Sequence, residues 1–331
     1  MKTLKFIYFI LLFAFSMTCY SQESNADYHF IKKINLEGPT GWDYLTMDND
    51  RLFVSNDDRV HVVDVKTDSE IGVIQNLHGV HGITLAPEFN KGYISNGTDS
   101  TVTVFDYTTL KTLKTIQITG KKANSILYDK VSKRVFVFCS KSDYVVVIDA
   151  KTDAILTKII VGPASEFPAT NQKGIIFDNS EDANEITLID TKKMQVINHF
   201  SLGTNKGPTS LEIDLKNNRL FSACRISKTL VVVDALNGKI ISTLPIGGGC
   251  DGVTYIAEEG LIITANGEGT ATIIKQESAN KYSVIQTLKT EPRLRTITNN
   301  KNNHRIYISG AVFEGKKGIP NSFGVYVYGE N

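Results

Sequence analysis

Side chains that could do chemistry together recur about every forty residues along this chain. They are Trp42 with Asp43, His81, Asn124, Glu166, Thr209, Asp251 and Arg295. Arg295, and Arg225 from the loop after the second strand of another repeat, could each grip a ligand carboxylate through two parallel hydrogen bonds, with the acidic residues orienting them. Imidazole is the commonest general base, so His81 could also accept a proton. This pattern favours a site for a small polar or anionic ligand.

A second group of polar residues should open on the same face as the first. It follows the second strand of several repeats and includes Asn96, Arg225 and Asn266. All of these side chains can also be interpreted as structural groups that cap strand ends, pair with one another and line a water-filled channel. Both interpretations stay open at the level of sequence.

The sequence predicts no metal site and no cofactor. His78 and His81 are the nearest approach to a metal site, but two imidazoles three residues apart in a glycine-containing loop do not complete a ligand set. Residues 247–252 match the G-x-G-x-x-G spacing of dinucleotide-binding loops, yet a strand rather than a helix follows them. We therefore expect a tight loop at this position.

Short strands must position these residues. An apolar strand that ends in Asp recurs at 60–64, 102–106, 145–149, 186–190 and 230–234. Another strand precedes each of them, and a further strand follows the turn that the Asp begins. The Asp side chain suits this turn because it can accept backbone N–H groups just ahead of it. The absence of long amphipathic segments argues against a parallel α/β fold.

The strand that precedes the Asp-ended one can be found in seven repeats, and seven repeats predict an all-β fold, a seven-bladed β-propeller of four-stranded antiparallel blades. The blades should start near residues 42, 81, 124, 166, 209, 251 and 295. The seventh unit lacks an outer strand, while an unpaired strand at 29–36 precedes the first unit. We expect this N-terminal strand to complete the last blade, which closes the ring and removes exposed edges.

Residues 1–21 have the features of a signal peptide. Lys2 and Lys5 precede a ten-residue apolar run that is too short to span a bilayer, and small residues suit cleavage after Ser21. A lipid anchor at Cys19 is the alternative, although the residues before it fit that signal poorly. Residues 22–331 should then form one exported domain, periplasmic or extracellular, monomeric and without a transmembrane segment.

The net charge of the chain bears on the class of molecule it binds. The chain has 36 basic and 35 acidic side chains, so removal of two leader lysines takes its net charge from +1 to −1. Nucleic-acid binders usually carry a strong basic surplus, and nucleic acid is therefore not the expected partner.

Cys139, Cys224 and Cys250 remain after cleavage and are interpreted as buried thiols, with a Cys224–Cys250 disulfide as the alternative.

The repeats resemble those of the YncE-like, YVTN-repeat β-propellers, a family of exported bacterial proteins. The segments that carry the resemblance include Gly41-Trp-Asp-Tyr-Leu45, Thr101-Val-Thr-Val-Phe-Asp106, Lys133-Arg-Val-Phe-Val-Phe138 and Ala265-Asn-Gly267. The resemblance covers essentially the whole chain after the leader. It implies the propeller fold and export, but it leaves the function open because most members lack an assigned activity.

The expected function is that of a binding or scaffold protein, with a small ligand or an envelope protein on the funnel face. The alternative is a lactonase-type hydrolase or isomerase, because propellers with related repeats include lactonases. In that enzyme Arg225 and Arg295 would hold the substrate carboxylate, and His81 or Glu166 would move a proton. A further alternative, single-stranded nucleic-acid binding, would need a basic groove with exposed aromatic residues.

Overall fold

The described strands of this protein form seven four-stranded antiparallel sheets. Six of them consist of strands that follow one another along the chain, and the seventh takes its outer strand from the N-terminal end of the described chain. The structure is a computed structural model and describes residues 27–330, so the predicted signal peptide lies outside the described residues. Inner strands of successive sheets contact each other around a ring, and the seventh contacts the first. The predicted seven-bladed β-propeller is confirmed.

Each blade runs from an inner strand beside the central channel to an outer strand at the rim. Blades one to three consist of Leu45–Asp48, Arg51–Asn56, Arg59–Asp64 and Ser69–Ile74; Val80–Ala86, Lys91–Asn96, Thr101–Asp106 and Thr112–Gln117; and Ala123–Asp129, Arg134–Cys139, Tyr144–Asp149 and Ile155–Ile160. Blades four and five consist of Ser165–Thr170, Ile175–Ser180, Glu185–Asp190 and Gln195–Ser201; and Pro208–Asp214, Arg219–Cys224, Thr229–Asp234 and Ile240–Pro245.

Blade six consists of Cys250–Ile256, Leu261–Asn266, Thr270–Ser278 and Lys281–Lys289, and blade seven of Thr296–Asn300, Arg305–Gly310, Gly324–Gly329 and His29–Asn35. Two strands outside the blades, Phe313–Glu314 and Lys317–Gly318, form a small hairpin. The described chain has one helical element, a 3-10 turn at Pro87–Phe89. Between residues 27 and 330, no helix has the length and apolar character needed to cross a membrane.

The Asp that ends the third strand fixes the turn after it, as predicted. Asp149 Oδ1 accepts the backbone N–H groups of Lys151 and Thr152, at 3.0 and 2.8 Å. The equivalent oxygens of Asp64, Asp106, Asp190 and Asp234 accept the same kind of bond. The hydrogen bond from Thr152 lowers the pKa of Asp149, so the turn is stabilised by an ionised carboxylate.

The hydrophobic core lies between the blades. Between blades two and three, for example, Tyr93 and Val104 pack with Val135 and Val137 in one buried cluster. Because neighbouring blades cover both faces of each sheet, the second and third strands are continuous apolar runs rather than alternating ones. Such packing holds the inner strands rigidly around the central channel.

The N-terminal strand closes the ring, also as predicted. His29–Asn35 pairs antiparallel with Gly324–Gly329 and becomes the outer strand of blade seven. Tyr28 joins this strand to blade six, because Gln286 Nε2 donates to the Tyr28 carbonyl at 2.8 Å and Gln286 Oε1 accepts the Tyr28 N–H at 3.1 Å. The two ends of the described chain therefore stabilise one another.

The three cysteines of the described residues, Cys139, Cys224 and Cys250, are buried free thiols. Burial raises the pKa of each to about 12. Because the thiolate is the reactive form of cysteine, these side chains are apolar core groups rather than nucleophiles.

Candidate functional site

The chain enters all seven inner strands on one face of the ring, and the side chains at these entries form a funnel. The funnel comprises Asp43, His81, Asn124, Glu166, Thr209, Asp251 and Arg295, together with Glu181 and Arg225 from neighbouring loops. Most of the side chains that the sequence analysis selected as ligand-binding or catalytic candidates are therefore brought together.

Two funnel arginines flank one carboxylate. Arg295 Nε lies 3.0 Å from Asp251 Oδ2, and Arg225 Nη1 lies 3.9 Å from Asp251 Oδ1 and 3.7 Å from Glu181 Oε1. These are charge contacts without hydrogen-bond alignment, and Arg295 Nε is a buried donor with no partner. Arg219 at the other end of the blades contrasts with them, because it donates to three backbone carbonyls. The guanidinium N–H groups of Arg225 and Arg295 thus have no aligned hydrogen-bond acceptor among the described residues.

Two funnel carboxyls, those of Glu166 and Asp251, have pKa values raised toward neutrality. Burial, reinforced by the charges of Glu181 and Asp251, raises the pKa of Glu166 to about 7. Burial also raises the pKa of Asp251 to about 6, against the opposing effect of Arg295. Asn124 Nδ2 donates to Glu166 Oε2 at 3.1 Å and so orients that carboxyl. Groups of this kind can exchange a proton with a ligand or donate a hydrogen bond to it.

His81 is fixed in the funnel by two neighbours. Its Nδ1 is hydrogen-bonded to Asp43 Oδ2. Its ring also lies against Gly97, where an added Cβ would stand 2.6 Å from His81 Nε2. Gly97 is therefore required for the close approach of the imidazole.

His78 and His81, the two histidines considered as metal ligands, contact different carboxylates. His78 lies on the exposed rim and pairs through Nδ1 with Asp99 Oδ2 at 2.7 Å, whereas His81 pairs with Asp43. Within residues 27–330, no three or more His, Cys, Asp or Glu side chains are grouped so that they could hold a metal ion. The two histidines are therefore hydrogen-bonded to separate carboxylates.

Two aromatic rings close the base of the funnel. Tyr44 and Phe167 stack with their ring centroids 4.9 Å apart and their planes 24° apart. They come from blades one and four, which stand on opposite sides of the ring, so their contact spans the channel. At the equivalent position the other blades carry only small residues, Gly82, Ser125, Ser210, Gly252 and Thr296. We call Tyr44 and Phe167 the aromatic plug.

Trp42 forms part of the funnel wall. Its ring packs against Phe313 of the small hairpin at a centroid distance of 5.8 Å and against Phe323 at 6.4 Å. The guanidinium of Arg295 lies 5.6 Å from the same ring, within the range of a cation–π contact. The indole therefore positions Arg295 toward the funnel.

Two predicted ligand-binding residues do not reach the funnel. Asn96 is buried, and its Nδ2 donates to the hydroxyls of Thr101 and Thr103 at 3.0 and 2.9 Å. Asn266 is also buried and makes the same bonds to two threonines of blade six. The sequence correctly places both at the strand end, but their side chains turn into the blade. There they link the second strand to the third.

The sequence analysis missed the aromatic plug and the acidic residue Glu181. A signal for the plug was present, because aligning the inner strands puts Tyr44 and Phe167 where every other repeat has glycine, serine or threonine. Glu181 carries no comparable signal, since it lies in an ordinary polar turn between strands.

Comparisons with known proteins show the fold. The chain matches no family model and no curated protein. Among solved structures, it resembles hydrazine synthase of Kuenenia stuttgartiensis with a TM-score of 0.70 and 15% identity over 83% of this chain and 94% of that one. It resembles the RRP9 WD40 repeats with a TM-score of 0.76 and 8% identity over 91% of this chain and 97% of that one. It resembles U3-55K with a TM-score of 0.76 and 8% identity over 90% of this chain and 98% of that one.

Proposed function

We propose that this chain is an exported binding protein whose funnel takes a small ligand that carries a carboxylate. The observation that supports this most directly is the pair of guanidinium groups, Arg225 and Arg295, that donate no hydrogen bond to any described residue. Arginine carries five N–H donors in a fork that matches a carboxylate. A β-propeller is suited to a binding or scaffold role, and the resemblance to YVTN-repeat proteins supports export.

The rest of the funnel suits the remainder of such a ligand. Asp251 lies between the two arginines and keeps both guanidinium groups in place. Glu166 with Asn124 offers a hydrogen-bonding pair that can give or take a proton, and the aromatic plug supplies an apolar floor. A small hydroxylated or amino-substituted carboxylate would satisfy all three features.

Ligand-induced stabilisation tests this proposal. We expect small hydroxy, amino and dicarboxylic acids to raise the unfolding temperature of the 22–331 domain, because a ligand that binds only the folded state stabilises it. Arg225→Gln and Arg295→Gln should each weaken binding about tenfold or more, the effect of losing one charged hydrogen-bonding partner. The measurement is a thermal-shift screen followed by calorimetric titration.

The control is Lys281→Gln, which removes one positive charge from an exposed side chain on an outer strand. It should bind like the wild type. Methyl esters of the same acids should bind far more weakly, because they lack the charge that the arginines recognise. Equal stabilisation by acids and esters, or full binding by the arginine variants, would contradict the proposal.

An enzymatic role is the second candidate, and the raised pKa of Glu166 favours it. A carboxyl with a pKa of about 7 is poised for general acid–base catalysis at neutral pH. The neighbouring arginines would hold the substrate carboxylate while Glu166 accepts or delivers the proton, as in hydrolysis or isomerisation of a lactone acid.

Activity of a Glu166→Gln variant tests this second candidate. If lactones bearing a carboxylate are turned over, the variant should lose about a hundredfold in kcat with little change in KM, a typical contribution of a positioned general base. The rate should also depend on a group that titrates near pH 7. Turnover that survives in Glu166→Gln, or no turnover of any lactone by the wild type, would count against catalysis by this residue.

A further inference from the structure

A separate cavity lies in the channel below the aromatic plug. It has a volume of about 250 Å³ and is bounded by inner strands of blades one to five. Tyr44 and Phe167 line it together with Thr46, Met47, Ser125 and Glu212. Among the described residues that line it, Glu212 is the one charged side chain, and Glu212 has no role in the funnel.

The pairing register shows that Glu212 departs from the repeat. In every blade one inner-strand residue pairs with the third residue of the second strand, as Glu212 pairs with Phe221. The equivalent residues of the other six blades are Thr46, Thr84, Leu127, Ala169, Thr254 and Thr298. Threonine, alanine and leucine are neutral, so the fold itself does not require a carboxylate at this position.

The Glu212 carboxylate lacks a partner that would stabilise it. Its only hydrogen bond is a 3.3 Å contact from the N–H of the adjacent Ile213, and no ion pair to it exists within the described chain. Burial raises its pKa to about 7. Glu212 is only partly buried, so its weakly partnered carboxyl remains accessible from the cavity to a positively charged ligand, which would stabilise the ionised form.

We propose that this cavity binds a small alkylammonium ion, with its ammonium group on Glu212 and its alkyl part against the aromatic plug and Met47. Hydroxyl groups complete the polar side: Thr46 Oγ1 donates to the Ile83 carbonyl at 2.8 Å and keeps its lone pairs free to accept. A single carboxylate with hydroxyls does not provide the six to eight oxygen ligands that calcium takes. The apolar wall favours an organic cation over a hydrated inorganic one.

The cavity site is independent of the proposed carboxylate site in the funnel, because the plug separates them. Its only other titratable lining group is Tyr44. Since the ammonium pairs with an ionised carboxylate, binding should strengthen between pH 6 and pH 8 as Glu212 loses its proton.

Titration with n-butylammonium chloride, followed by amide chemical shifts or calorimetry, tests the proposal in the 22–331 domain. The wild type should bind at millimolar concentration, Glu212→Gln should bind at least tenfold more weakly, and the exposed control Glu258→Gln should match the wild type. Glu212→Thr, which restores the residue of the neighbouring blades, provides a second variant if the glutamine variant folds poorly. Arg225→Gln should leave this binding unchanged.

Neutral n-butanol and potassium chloride distinguish the contributions of charge and alkyl chain. Weaker binding of both than of n-butylammonium supports the proposal. Equal binding of butanol, equal competition by potassium, or unchanged binding in both Glu212 variants would overturn it. So would the absence of binding by the folded wild type at pH 8.

Discussion

Replacing Asp178 by threonine should stabilise the protein by several kcal/mol at pH 8 and by much less at pH 5. Asp178 is 1% exposed in the second strand of blade four. Ser165 Oγ donates to its Oδ2 at 2.6 Å, but its Oδ1 has no partner. Burial raises its pKa to about 8, so folded Asp178 keeps a proton that the same side chain would release in the unfolded chain.

The sign of the pH effect follows from that raised pKa. An unfolded aspartate ionises near pH 4, whereas folded Asp178 holds its proton up to about pH 8, so native stability falls as pH rises between these values. Each pH unit in that window costs about 1.4 kcal/mol. Threonine removes this loss and still offers Ser165 an acceptor, while its methyl group replaces the unpartnered oxygen. Blade six already carries threonine at the equivalent position, Thr264.

Urea unfolding of the wild type and Asp178→Thr at pH 5 and pH 8 measures the effect. The gain should be larger at pH 8 by about 4 kcal/mol, three pH units at 1.4 kcal/mol each. Asp182→Thr is the matched control, because it removes an exposed aspartate from the turn after the same strand. An equal gain at both pH values would show that Asp178 does not couple protonation to folding.

Ile34→Asp should destabilise the propeller by more than about 3 kcal/mol. Ile34 is buried in the strand that closes blade seven, where it packs with Leu36 and Val325. A carboxylate there loses the apolar contacts and introduces a buried charge, and release of the strand would expose the edge formed by Gly324–Gly329. Urea unfolding should show a lower midpoint for the whole domain.

The control for this prediction is Asn35→Asp, which introduces the same charge at the adjacent exposed position of the same strand. It should change stability by less than about 0.5 kcal/mol, as is usual for surface substitutions. Similar stability of Ile34→Asp and the wild type would mean that the N-terminal strand is dispensable for the ring.

Local sequence patterns were sufficient to predict the architecture. Neighbouring residues determine the strand periodicity and the turns that begin with Asp, such as the turn at Asp149. The strand at 29–36 was assigned to blade seven because that blade lacked one strand. Seven copies of the same pattern then leave few arrangements other than a closed ring. The predicted blade starts lie within a few residues of the inner strands for the same reason.

The candidate site was predicted only in part, because it depends on side-chain direction and on contacts between distant blades. Asn96 has the right position, but its amide finds two threonine hydroxyls inside the blade. The stacking of Tyr44 on Phe167 joins blades that are far apart in sequence, and no local pattern reports such a contact. The protonation of Asp178 and Glu166 follows from burial, which strand periodicity alone does not quantify.

Native mass spectrometry of the 22–331 domain, purified from its natural source, tests most directly whether the funnel holds a small carboxylate. The wild type should carry a small-molecule adduct or acquire one when carboxylic acids are added. An Arg225→Gln/Arg295→Gln double variant should lose it, while Lys281→Gln retains it. A bare protein mass for the wild type with every acid, or an adduct that persists in the double variant, would contradict a carboxylate site in the funnel.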